Sequence, residues 1–566
     1  MSITVQSRFL RVRDYVGEGK ASVILQDTLD LPGEYPDVER VIAAHAVGRN
    51  VEAVCGEGRV VMRGTVDVRL LYEAAVPAKE RRERHYDHDD DESGHDHESE
   101  HAREHEHEPE ERPATRLILA EFREVCPFEL AVEVSGALPE HKAKARVTSE
   151  SVAATLVNRR RLGCDVALVG VVEVSEDQEV RAVVDATALP PDKVQWVREM
   201  MHVEHLAAEG LSPLRLEVSL ALPPEEPALA EVAWVVPRSH HVTGRTGEGK
   251  AFVEGLVDVE VVYLTGNPEH PVHSFRWLDA HRFALTFDLP GVRSGMMLLV
   301  DLEVGEVTGV RENEQCVTVV IGGEVRVAAR HLLDLPLLTD AVAESGVQLD
   351  VIRKTVRFPH HLPEGYRQAT VGGVVSLPPT KPPVDRVIWT KAAFIADQVI
   401  VEEGRVTVEG DLSLALLYLA DTPGLLVQYV EFPRGLRVSE MVEAPGLVPG
   451  MWAHPHVHVH AVSVRLVDPE TLQIDVTLHL HVRALSIVQA EVVVECVVVS
   501  PCPPGTSLRM VIVQPGDTLW KLSRRYGVPL EAIIRANPQI PNPDLIYPGQ
   551  KVRIPCVPLA ARQDPA

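Results

Sequence analysis

The chain has 566 residues, too many for one hydrophobic core, and this length suggests roughly three to five domains. Apolar content of 45% and charged content of 25% are those of a globular protein, while a net charge of −27 argues against a basic nucleic-acid footprint. No apolar run approaches the roughly 20 residues of a membrane-spanning helix, the first residues carry no long apolar signal segment, and seven scattered cysteines read as reduced thiols.

Residues 1–30 alternate apolar and polar positions, as over 21–25, and close at the turn-forming pair Leu31-Pro32. A short second strand is expected at 38–44. The stretch 57–72 follows, with Val60, Met62, Gly64 and Val66 on one face and Arg59, Arg63, Thr65, Asp67 and Arg69 between them. That is period two and rich in β-branched residues, so it reads as a long half-buried strand. The same stretch recurs at 248–263 and 403–418. Its closing tyrosines, Tyr72, Tyr263 and Tyr418, are 191 and then 155 residues apart. Gly58, Gly249 and Gly404 keep those offsets, as do Leu31-Pro32, Leu222-Pro223 and Leu377-Pro378. Three markers in one gapless register indicate a repeat protein. The mid-strand glycine of each copy (Gly64, Gly255, Gly410) predicts a bulge or a close backbone approach, with no chemistry of its own.

Further alternating runs follow each copy, at 128–134, 151–156 and 166–174, at 283–289, 297–304 and 317–325, and at 457–466 and 474–482. Second strands are expected at 231–236 and 384–390. Helical periodicity is nearly absent before residue 500. The expected fold is mainly β: three tandem all-β repeats, each a sandwich or open barrel, at 1–200, 205–345 and 350–498. A Pro-rich linker at 499–507, a small β-α-α-β module at 508–556 and a tail at 557–566 complete the chain. The unequal spacing places an insertion of 36 residues in the first repeat, at about 77–112. Over 79–112 it has fifteen acidic and six basic residues, a composition expected to form a disordered surface loop.

The C-terminal module is the most specific part. Gly516 turns a short strand, Asp517 or Thr518 caps a helix with Leu519, Leu522 and Tyr526 inward, and Gly527 ends it. Pro529 opens a second helix with Leu530, Ile533 and Ile534 inward, Asn537-Pro538 stops it, and 546–555 returns as a strand. The Gly-Asp-Thr-Leu-Trp start, Tyr526-Gly527, Asn537 and Pro548-Gly549-Gln550 with Ile554-Pro555 resemble a LysM domain. The resemblance implies a shallow groove for N-acetylglucosamine-containing glycans such as peptidoglycan or a chitin-like polymer. It would run between Gly516, Asp517, Thr518 and Leu519 on one side and Asn537, Pro538 and Ile546 on the other. The same groove could dock a protein, and the turns need these residues whether or not sugar binds.

The triplicated stretch, the upstream Leu-Pro and the domain order resemble the SPOCS domains of SipL-type spore-coat morphogenesis proteins. That resemblance implies a non-enzymatic scaffold in the mother-cell cytoplasm at the forespore surface. Its implied partner is the coat's basement-layer morphogenetic ATPase.

Two histidine groups could bind metal. The insertion holds His85, His88, His95, His97, His101, His105 and His107, suited to adventitious Zn²⁺ or Ni²⁺ or simply solvated. In the third repeat His456, His458 and His460 alternate along one strand, and His479 and His481 along the next. A turn at 468–471 would set His460 opposite His479 and His458 opposite His481, on a face that either binds a divalent ion or meets solvent. No phosphate loop, nucleophile elbow or zinc-protease motif occurs, so no enzyme activity is expected and no resident cofactor is required. The competing readings are a peptidoglycan-binding cell-wall protein and a metal-binding protein.

Overall fold

The structure, a computed structural model, describes residues 2–75, 115–189, 193–343, 349–422, 425–498, 507–526 and 528–556. The insertion with its histidines, residues 499–506 of the linker, Gly527 and the tail lie outside them.

Strands β1 (Ser2–Asp30), β2 (Val38–Gly56), β3 (Arg59–Ala75), β4 (Thr115–Glu133), β5 (Lys142–Asn158) and β6 (Arg161–Leu189) form two antiparallel sheets, ordered β2-β3-β4 and β1-β6-β5. β7 (Val194–Ala221), β8 (Glu231–Gly247), β9 (Lys250–Leu264), β10 (Val272–Asp288), β11 (Met297–Asn313) and β12 (Cys316–Ala343) pair as β10-β9-β8 and β11-β12-β7. In the third set β13 (Leu349–His361) and β14 (Gly365–Ser376) share the first place. β15 (Val384–Glu402), β16 (Arg405–Ala420) and β17 (Val427–Glu443) form one sheet, and β18 (Trp452–Asp468) and β19 (Thr471–Val498) complete the other. Mainly-β architecture is therefore observed, and each pair of sheets faces across its own apolar core. The alternation read from the sequence supplies that core: Val60, Met62, Val66 and Val68 are all fully buried.

The triplicated stretch is the central strand of each smaller sheet: β3, β9 and β16. Its registers correspond: Gly64 opposes Phe128, Gly255 opposes Phe283, and Gly410 opposes Val438. The glycine answers both expectations. β2, β8 and β15 each bulge opposite it, and a Cβ would collide with a ring: Phe128, Phe283 or Phe394. The Leu-Pro pair starts a turn in which the Pro32, Pro223 and Pro378 carbonyls accept N–H bonds from Tyr35, Glu226 and Lys381. The buried Tyr72, Tyr263 and Tyr418 hydroxyls donate to the carbonyls of Pro36, Pro227 and Pro382, at 2.8, 3.1 and 2.9 Å.

Three differences from expectation have local causes. The second strands run on past the bulge to Gly56, Gly247 and Glu402, because polar bulge residues such as Asn50 and His241, with φ near +50°, interrupt the alternation that delimited them. Cys556 is disulfide-bonded, whereas Cys55, Cys126, Cys164, Cys316 and Cys496 are free. α2 (Leu530–Ala536) follows α1 (Leu519–Tyr526), and Pro529 precedes it as the N-cap rather than sitting in its first turn.

The long strands extend beyond the sandwiches as two-stranded ribbons, β1-β6, β7-β12 and β13-β19, which converge. Leu10, Val180, Val203, Leu335, Phe358 and Val492, one from each strand, pack in one core. At the far side Leu71, Trp234 and Leu417 from the three central-strand sheets share another, with Trp234 and Trp389 ring centroids 5.3 Å apart.

Candidate functional site

The terminal module comprises β20 (Leu508–Ile512), α1, α2 and β21 (Lys551–Pro555), with β20 and β21 antiparallel. Leu519, Leu522, Tyr526 and Ile533 close its core, and Leu530 and Ile534 are half-buried against it. Thr518 is the helix cap, accepting the Lys521 N–H at 3.1 Å. Asp517 does something else. Its side chain is 0% exposed, and one carboxylate oxygen accepts from Arg525 at 2.7 Å and from Arg353 of β13 at 2.8 Å. The other oxygen takes the Gln514 N–H at 2.8 Å. Arg353, itself 1% exposed, also reaches Asp340 of β12 at 2.6 Å. Burial alone would raise the Asp517 carboxyl, but Arg525 and Arg353 outweigh it and hold it below the usual carboxylate range.

The loop 516–518 is therefore partly a dock against the body of the protein. Gly516 (φ +77°) faces Glu491 of β19, whose carboxylate a Cβ would strike. Of the other groove residues, Leu519 belongs to the module's core. Asn537 is buried and pinned by bonds to Ile533 and Arg553 backbone atoms. Thr518 and Pro538 are exposed and Ile546 is half-buried. Adjacent loop residues thus face different surroundings: Asp517 is sealed by Arg353 of β13, while Thr518 is open.

β18 and β19 form the histidine hairpin around Pro469-Glu470, with the Asp468 carboxylate accepting the Glu470 N–H at 2.9 Å. The expected register is corrected. Irregularities between Leu466 and Asp468 and between Val459 and Ala461 shift the pairing, so His458 opposes His479 and His456 opposes His481. His460 still stacks on His479, with ring centroids 4.4 Å apart. Leu480 and Val482 point into the third core. The histidine face is partly open to solvent: His456 and His481 are exposed, while His456 and His458 also line an open cavity of about 1060 Å³ shared with Arg49 and Arg146 of the first unit and Ser239 and Glu303 of the second. Partial desolvation there, with Arg146 and Arg483 near, pulls the His456 imidazole below its ordinary pKa.

Comparison with known proteins bears on both regions. The LysM domain family matches residues 511–555, and the family described as SipL, SPOCS domain matches residues 383–467, which span β15 to β17 and most of β18. The chain carries a SPOCS domain and a LysM domain. SpoIVD-associated factor A of Bacillus subtilis (strain 168) is 43% identical over 58 residues, 10% of this chain and 15% of that protein. Spore coat assembly protein ExsA of Bacillus cereus is 48% identical over 48 residues, 8% of each. Secreted LysM effector ECP6 of Passalora fulva is 42% identical over 57 residues, 10% of this chain and 25% of the effector. The chain thus spans a quarter or less of the length of these relatives. No solved structure matches it.

Within this framework the LysM motif residues divide by role. Asp517 and Asn537 are structural, and Thr518 and Pro538 are open to a ligand. Arg353, Asp340 and Glu491, which meet the LysM loop, lie outside any motif. Only their inward placement on long ribbon strands marks them, and that requires the pairing partner to be known. The SPOCS match takes in His456, His458 and His460, while their partners His479 and His481 lie beyond it.

Proposed function

We propose that this chain is a non-enzymatic scaffold of spore-coat assembly, with three SPOCS-like units at 1–200, 205–345 and 350–498 as protein-binding surfaces and the LysM module fixed to the third. The observation that carries this reading is the buried Arg353–Asp517–Arg525 cluster. A module tethered only to reach a distant polymer has no need to bury its groove loop against its own chain. The spore-coat relatives agree, and the B. subtilis relative's name describes association with SpoIVD. The partner in this reading is the coat's basement-layer morphogenetic ATPase, met at the forespore surface. The exposed Thr518 and Pro538 keep a glycan as the competing ligand. Co-purification from sporulating cells, with the full chain and with a chain lacking 508–566, separates the two. Coat proteins should accompany the full chain. Recovery of peptidoglycan in place of coat proteins would overturn the scaffold reading.

A further inference from the structure

The three central sheets repeat one set of positions with different chemistry. Beside the bulge, the first has Arg49, Asp67 and Glu124, the second His240, Asp258 and Asp279, and the third Ile395, Ser413 and Arg434. The registers fix this equivalence, since Arg49 opposes Thr65, His240 opposes Leu256 and Ile395 opposes Asp411. In the first sheet the Arg49 guanidinium donates to Asp67 at 2.8 Å, and the Glu124 backbone N–H donates to the other Asp67 oxygen at 2.8 Å. The second keeps that backbone bond, from Asp279 N–H to Asp258 Oδ1 at 2.9 Å, and keeps both carboxylates. The cation has become an imidazole.

His240 Nε2 lies 3.0 Å from Asp258 Oδ1 and 3.3 Å from Asp279 Oδ1. A ring nitrogen carries at most one hydrogen, so it cannot satisfy both oxygens. All three donor atoms fall within 4.8 Å of one another. Bonds of about 2.0–2.2 Å to one tetrahedral zinc ion set its donors about 3.3 Å apart, close to the spacing seen. Arg276 occupies the other Asp258 oxygen, Oδ2, at 2.6 Å, so the site draws on Oδ1, which also accepts the Asp279 N–H. Asp258 is buried and pre-oriented, while Asp279 is 65% exposed and gives an ion its way in.

We propose that His240, Asp258 and Asp279 form a site for a divalent transition-metal ion of zinc-like character. The ion would stand where the Arg49 guanidinium meets Asp67 in the first sheet, with Asp279 added as a further ligand. The site is separate from the β18-β19 hairpin but lies near it: Ser239, the neighbour of His240, lines the same cavity as His456 and His458.

The test uses the full chain and zinc alone. His240→Arg restores the first sheet's arrangement, and Asp279→Ala removes an exposed ligand, at some cost to the fold because φ is +48° there. Equilibrium dialysis should find one zinc per chain fewer in either variant than in wild type, the other histidines contributing equally to all three. Zinc should raise the thermal midpoint of wild type more than that of His240→Arg. If His240→Arg fails to fold, Asp279→Ala carries the comparison. Equal zinc content in wild type and the folded variants overturns the proposal.

Discussion

Tyr418 buries its ring among the third core's residues and uses its hydroxyl to hold the Pro382 carbonyl at 2.9 Å, so one side chain ties the central strand to the turn after the Leu-Pro pair. Tyr418→Phe keeps the ring and leaves a carbonyl without its partner. The expected cost is about 1 kcal/mol, read as a lower denaturant midpoint with an unchanged slope. Gly410→Ala should cost more, about 1–3 kcal/mol, because the new methyl meets both the Ile395 carbonyl and the Phe394 ring. Gly33→Ala, where nothing lies within 4 Å, is the control that should change little. Both residues were conspicuous in the sequence, since each recurs at fixed offsets. Their partners were not: Pro382 and Phe394 lie outside the repeated stretch, and only the pairing of strands brings them in. Arg49 and His240 correspond through the same offset of 191 residues, but only the fold sets them against Asp67 and Asp258.

At the scale of elements, turns and alternation are local and were legible, whereas bulges and docks are not. Asp468-Pro469 signalled the β18-β19 turn, but nothing in the sequence marks the irregularities at Leu466 and Val459 that together set His458, instead of His460, opposite His479. The docking of α1 depends on charges 164 residues apart. Arg353→Ala removes one partner of a buried pair, which costs about 3–5 kcal/mol, and this should fall on the dock more than on the LysM fold, since Arg525 still holds Asp517 from within. Limited proteolysis should release the C-terminal module sooner from that variant than from wild type. Acid should act similarly. The folded Asp517 carboxyl is depressed, so the dock has its full stabilisation above the unfolded value of about 3.9 and loses it as pH falls through the folded value. Release that is equally slow in wild type and Arg353→Ala would show that the dock does not retain the module.

For the whole molecule the question is what keeps three sandwiches in one body. Apolar ribbon faces supply the bulk of the attraction, each fully buried Leu, Val or Phe contributing about 1.5–3 kcal/mol. Ion pairs at each ribbon junction set orientation: Arg13 with Glu209 between the first and second units, Asp14 with Arg357 between the first and third, and Glu204 with His361 between the second and third. Two of these carboxylates shift in opposite directions. Asp14 is raised, burial outweighing Arg357. Burial would raise Glu204 as well, but the His361 hydrogen bonds and charge, with Arg330, bring it from an ordinary 4.5 down to about 2. A depressed carboxylate stabilises the fold above its unfolded pKa and loses that contribution as pH falls through the folded one. Glu204 should therefore contribute roughly 3 kcal/mol above about pH 4.5 and little near pH 2. The stability gap between wild type and Glu204→Gln, measured by denaturant unfolding, should be widest at neutral pH and narrow steadily below pH 4.5. Because Glu204 joins β7 to β13, the variant's extra unfolding at neutral pH should appear as uncoupling of the second and third units, seen as separate transitions where wild type shows one. A gap that stays constant from pH 7 to pH 2 would mean that the ribbon junction is held by its apolar faces alone.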